Sequence, residues 1–78
     1  MKPSYNLSQL APGQRARVSH IAAAGAMRRR LMDLGLTRHT EVMCLGRSPL
    51  GDPSAYLIRG AVIAIRAKDS QNIFLETE

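Results

Sequence analysis

The sequence predicts a mainly β fold with one short helix, curled into a small, partly open barrel. Three observations lead there. Short apolar runs with strand-like alternation recur between turn residues along most of the chain. One stretch carries helical spacing, with Met27, Leu31 and Leu34 at i, i+4 and i+7. The chain has 78 residues, and a single domain of that size buries only about 60% of the surface its unfolded chain exposes, so the core must be thin and the elements short.

The elements follow in order. Leu7, Leu10, Pro12 and Gly13 suit an irregular turn that drops two leucines into the core. A first strand runs from Gln14 to Ile21, with Ala16 and Val18 inward and Arg15, Arg17 and Ser19 outward. Ile21 breaks the period of two, which predicts a bulge or the strand's end. Residues 22–26 are alanines and one glycine, without a Ser, Thr, Asp or Asn to cap a helix, so Gly25 is the best cap available. The helix spans residues 26–34. Gly35 stops it, because glycine takes the left-handed conformation without the penalty a Cβ imposes. Leu36 is then placed to fold back onto the last apolar turn. Arg30 borders the apolar face, Arg28 and Arg29 point outward, and Asp33 stands four residues after Arg29, suited to a surface pair.

Thr37 to Thr40 turns the chain into a second strand, Glu41 to Arg47, with Val42 and Cys44 on one face and Met43 and Leu45 on the other. Residues 48–54 place Leu50, Gly51 and Asp52 between Pro49 and Pro53, a stiff excursion that cannot be central strand. Residues 55–67 read as a hairpin turning at Arg59 and Gly60. Tyr56 and Ile58 face the same side as Ile63 and Ile65, while Leu57 and Val62 face the other. Lys68 to Asn72 forms a polar turn, and Ile73 to Glu76 supplies the last strand. Together these pieces describe a small SH3-like partly open β-barrel. Met43, Leu45, Leu57 and Val62 make an outward apolar set, which is either exposed or covered by sheet curvature and the long loop.

Composition narrows the function. The net charge of +5 and pI near 10.4 invite a nucleic-acid reading, but the arginines are scattered over most elements and only Arg28, Arg29 and Arg30 form a run. On a helix three consecutive residues fan across roughly 200 degrees, so the run is no stripe, and a solvated basic surface is favoured over a phosphate-binding face. No stretch approaches the roughly 20 apolar residues needed to cross a membrane. The amino terminus lacks a secretory signal, and the single Cys44 excludes an internal disulfide, so the expected location is cytoplasmic. No paired acid and base, P-loop or dinucleotide motif is present, which argues against an enzyme and against a cofactor. His20, His39 and Cys44 lack ligand spacing, so structural roles are expected for them and no metal site. Tyr5, Tyr56 and Phe74 are too few aromatics for a proline-rich peptide groove.

The chain resembles the FeoA family, whose domain also occurs at the carboxyl end of some metal-dependent repressors. The resemblance rests on Arg30, Leu31, Asp33, Leu34, Gly35 and Leu36, then Pro49, Leu50, Gly51, Asp52 and Pro53, then Arg59, Gly60, Ile65 and Arg66, and finally Ile73. It runs from about Leu7 to Leu75. The chain departs from the family pattern at Arg38 and His39, where Pro-Gly is usual, and at Ser54, where an aliphatic residue is usual. A strained or altered turn is therefore expected at His39. The resemblance implies a small cytoplasmic accessory protein of ferrous-iron transport, an adaptor for the GTPase region of a FeoB-type permease. The contact surface expected for it includes Arg28 and Arg29 on the helix and Leu50, Gly51 and Asp52 in the loop. Two other readings stand beside it: a basic barrel that binds nucleic acid, and a weakly self-associating module.

Overall fold

The alternating stretches form five antiparallel strands in the computed structural model, which describes residues 5–76. They are β1 (Arg15–Ile21), β2 (Glu41–Arg47), β3 (Ser54–Ile58), β4 (Ala61–Ile65) and β5 (Ile73–Leu75). Two helices join them, α1 (Gly25–Asp33) and α2 (Ala67–Ser70). The sheet order is β4-β3-β2-β1-β5, so the sheet keeps two edges instead of closing.

β1 gives the sheet its curl. Its first half pairs with β2, Arg15 opposite Met43 and Arg17 opposite Glu41. Its second half pairs with β5, Val18 opposite Leu75 and Ile21 opposite Ile73. The register shifts between Val18 and His20, where a bulge is expected from the broken alternation, and a bulge bends and twists the strand that carries it. A second shift, between Cys44 and Gly46 in β2, leaves no comparable trace in the sequence pattern.

The curl gathers one apolar face into a core. Val18, Ile21, Val42, Cys44, Tyr56, Ile58, Ile65, Ile73 and Leu75 are buried there. Leu7 and Leu10 close one end, carried on a single 3-10 turn, Leu7–Gln9, whose start is capped by Asn6. Leu31 and Leu36 close another part of the core from α1 and the chain just beyond it. Ser54, expected in the loop, is the first residue of β3, buried and paired with Arg47 and Ile65.

Four local expectations are corrected. The polar turn at 68–72 begins as one turn of helix, α2, with Asp69 and Ser70 buried, so the described residues form two α-helices and not one. The cap of α1 is Ala24, in extended conformation and without a side-chain bond. Gly25 instead lies inside the first turn at φ +62. Met27 does not join the core and is 37% exposed. The physical reason is that α1 is packed through its carboxyl end, where Leu31 is its one buried residue, while the first turn meets the rest of the fold through polar contacts, Arg28 with the Ile21 carbonyl and Met27 with Asn72. Asp33 and Arg29 form no ion pair. Among the described residues the ion pair found is His39 with Glu76, at 2.5 Å.

Candidate functional site

The helix stop is built from backbone. Leu34 caps α1, and Gly35 follows at φ +101, a conformation glycine reaches without strain. The Gly35 N–H donates to the Met32 carbonyl at 2.9 Å and the Leu36 N–H to the Leu31 carbonyl at 3.2 Å. This is the Schellman pattern, and it drives Leu36 into the core directly behind Leu31.

Arg59 completes the stop from across the sheet. The β3–β4 hairpin turns through Arg59 at φ +50 and Gly60 at φ +82, the two positive angles of a type I′ turn. Arginine is a poor residue for the first of them. It is held there because its Nε donates to the Gly35 carbonyl at 3.4 Å and its Nη2 to the Thr37 hydroxyl at 3.2 Å. Thr37 and Thr40 in turn share a hydroxyl bond of 2.8 Å. A Cβ on Gly35 would stand 2.9 Å from the Arg59 Cδ, so both residues of the family pattern have one shared task. Sequence reasoning paired Gly35 with Leu36 and Arg59 with Gly60, and missed that the two pairs meet.

The loop 48–53 lies at the opposite end of the same hairpin. Ser54 opens β3 beside Ile65, and Ile58 ends it beside Ala61, a span of roughly 14 Å at about 3.4 Å per residue. The stop of α1 is therefore at one end of β3 and the loop at the other. The loop is pinned on its own. The Ser48 N–H donates to the Pro53 carbonyl at 3.1 Å, the Gly51 N–H to the Ser48 carbonyl at 2.8 Å, and the Asp52–Pro53 peptide is cis. Asp52 has a structural partner: its carboxylate accepts the Ala67 N–H at 2.8 Å and so caps α2 from a distant segment. Arg66 precedes that turn in extended conformation, and its carbonyl accepts the Asp69 and Ser70 N–H groups. Leu50 points away from all of this, 92% exposed.

On α1, Arg28 folds back so that its guanidinium donates to the Ile21 carbonyl at 3.0 Å. Arg29 and Arg30 are exposed. A shallow concavity of about 390 Å³ along the helix is lined by Gly25, Arg28, Arg29, Met32 and Asp33. The outward apolar set is partly open: Met43 and Leu57 are half-buried, Leu45 is exposed, and Val62 is 67% exposed. Met43, Leu57 and Val62 stand side by side across β2, β3 and β4.

His20, His39 and Cys44 do not converge. Cys44 is buried in the core, His20 stacks on Phe74 with ring centroids 4.9 Å apart, and His39 meets Glu76. His39 adopts φ +71, the left-handed turn expected where the family has glycine. Among the described residues no group of three or more His, Cys, Asp or Glu is placed to hold a metal ion. No helix among them is long and apolar enough to cross a membrane. Burial pushes the Tyr56 phenol above the ordinary value near 10.

Solved structures similar to the chain include FeoA from Chlorobium tepidum, 41% identical over 91% of this chain and 68% of that one, with a TM-score of 0.84. A FeoA-like protein from Clostridium acetobutylicum is 30% identical, covers 97% of this chain and 88% of that one, and has a TM-score of 0.86. The zinc complex of FeoA from Stenotrophomonas maltophilia, described as a prokaryotic SH3 domain protein, shares the fold at 24% identity and a TM-score of 0.81, over 91% of this chain and 88% of that one. No curated protein matches the chain. The FeoA domain model matches residues 5–77. With that match spanning the leucine-faced helix, its glycine stop, the pinned loop and the hairpin, the chain belongs to the FeoA family.

Proposed function

We propose that this protein is a non-enzymatic accessory of ferrous-iron transport that binds and modulates a FeoB-type permease at its cytoplasmic GTPase region. The observation that carries the reading is Leu50. A large apolar side chain stands almost fully in water on a loop held by its own backbone bonds and by the cap on α2. Ordering a loop costs conformational entropy, and here that cost is already met before any partner arrives. Arg29 adds a cation with no described partner, on the face of α1 that borders the shallow concavity. Arg28 contributes less as a contact, since its guanidinium is engaged with the Ile21 carbonyl.

Pull-down of the permease's soluble GTPase region tests the reading. The double variant Arg29→Glu, Leu50→Asp should lose binding while keeping its fold, because both side chains are exposed. Undiminished binding would count against this surface. GTP turnover by that region, measured with this protein and with Arg29→Ala, shows whether Arg29 acts on the nucleotide as well.

A further inference from the structure

The two edges of the sheet are treated differently. β5 is only three residues long, and its outer side is covered: Asn6 bridges Phe74, and the Tyr5 carbonyl accepts the Leu75 N–H at 2.8 Å. β4 has no such cover among the described residues. Its sequence is Ala61, Val62, Ile63, Ala64, Ile65, without a charge, a proline or a shift of register against β3. Edge strands are normally blunted by one of those devices, because their free backbone groups invite another strand.

The open groups can be named. A two-residue turn makes Ile58 and Ala61 exchange backbone bonds, and the alternation then assigns the same role to Tyr56 with Ile63 and to Ser54 with Ile65. Val62 and Ala64 fall at the intervening positions, so their N–H and C=O groups face away from β3. Both residues are exposed. A strand laid against them would set its inner side chains beside Ile63 and Ile65 and its outer ones beside Val62.

Charge chooses the occupant. Arg59 and Arg66, both exposed, flank β4 at its two ends, Arg59 turned onto the neutral Gly35 carbonyl and Thr37 hydroxyl. Lys68 lies just beyond Arg66, next to Ala67, whose N–H the Asp52 carboxylate holds. A second copy pairing antiparallel about Ile63 would bring Arg66 of each chain beside the turn at Arg59 and Gly60 of the other, and each copy carries a net charge of +5. Like charges set close across a strand pair oppose the pairing. We propose that β4 is a docking edge for an extended segment of another protein, apolar at its centre and acidic at both ends. This deepens the adaptor reading and rests on it for the partner's identity. β4 also runs from the hairpin tip beside the α1 stop to the end beside the loop, so an added strand would pass between the two motifs of the family pattern.

Two probes test the edge: a synthetic peptide of alternating Val and Thr flanked by Glu at both ends, and the same peptide flanked by Lys. The Glu-flanked peptide should slow amide exchange at Val62 and Ala64 in the unaltered protein, and the Lys-flanked one should bind roughly tenfold more weakly. Ala64→Pro removes an outward N–H and leaves the bonds to β3 intact, so it should abolish binding without loss of fold. Arg66→Glu, which leaves the strand untouched, should narrow or invert the preference between the two peptides. Protection elsewhere, equal binding of both peptides, or a dimer that Ala64→Pro dissolves would overturn the proposal. Binding of the GTPase region with equal strength to Ala64→Pro would also sink the edge while leaving the adaptor reading intact. Absence of GTPase binding to the unaltered protein would sink the adaptor reading and leave the peptide results to decide the edge.

Discussion

Gly35 and Arg59 are single residues that meet across the sheet, the Arg59 Nε donating to the Gly35 carbonyl at 3.4 Å. Any residue with a Cβ at position 35 meets two obstacles, the left-handed backbone at φ +101 and the Arg59 Cδ at 2.9 Å. Gly13 meets only the first: its φ is +88 and nothing lies within 4 Å of a built Cβ. Chemical denaturation should therefore find Gly13→Ala costing about 1 kcal/mol, and Gly35→Ala costing clearly more. Equal losses would mean that Arg59 moves aside freely. Tyr56 makes a second prediction at this scale. Its phenol is raised by burial, so the folded state holds the proton to higher pH than the unfolded chain does. Folded stability is then complete below the unfolded value near 10 and falls as pH rises through it. Tyr56→Phe should flatten that decline in denaturation curves taken between neutral pH and above 10, and an unchanged slope would assign the decline to other groups.

Elements differ in how far the sequence announces them. β2 is legible in its bounds and in the alternation of Val42 and Cys44 with Met43 and Leu45, but not in the register shift between Cys44 and Gly46. The hairpin turn and the helix stop are legible because each depends on a glycine in a local conformation. α2 is not legible. It is too short to show apolar periodicity, and its first N–H is capped by Asp52, a residue 15 positions earlier that only the folded chain brings near. The same holds for the contact between Arg59 and Gly35, and for the exposure of Met27, whose helical spacing matches that of Leu31 although only the second turn of α1 reaches the core. Asp52 is consequently the residue to change when asking what holds α2. Asp52→Ala should cost about 1 kcal/mol, in line with loss of a helix cap, and Asp52→Asn should recover much of it. Thermal melts of the two variants check this. A loss of GTPase-region binding in Asp52→Ala with no change of melting temperature would instead make Asp52 a contact residue.

At the scale of the whole molecule, the core is thin and shared by every strand, and the surface divides into parts with different duties. Basic side chains spread over most elements, and among the described residues β4 is a sheet edge without a charge or a proline. The candidate docking residues were legible in type but not in arrangement. Leu50 and Arg29 are exposed as expected, yet the helix stop and the loop occupy opposite ends of β3. The division of β1 between two partners has a consequence in time. Neighbouring strands β2, β3 and β4 are joined by short connections, whereas the zipper of Ile21 to Ile73 must close about two thirds of the chain into a ring, and such closures come late. Ile73→Val should accordingly hasten unfolding in stopped-flow traces and leave the refolding rate nearly unaltered. A newborn chain would thus hold a ready-made meander while its final strand is still searching for its seat.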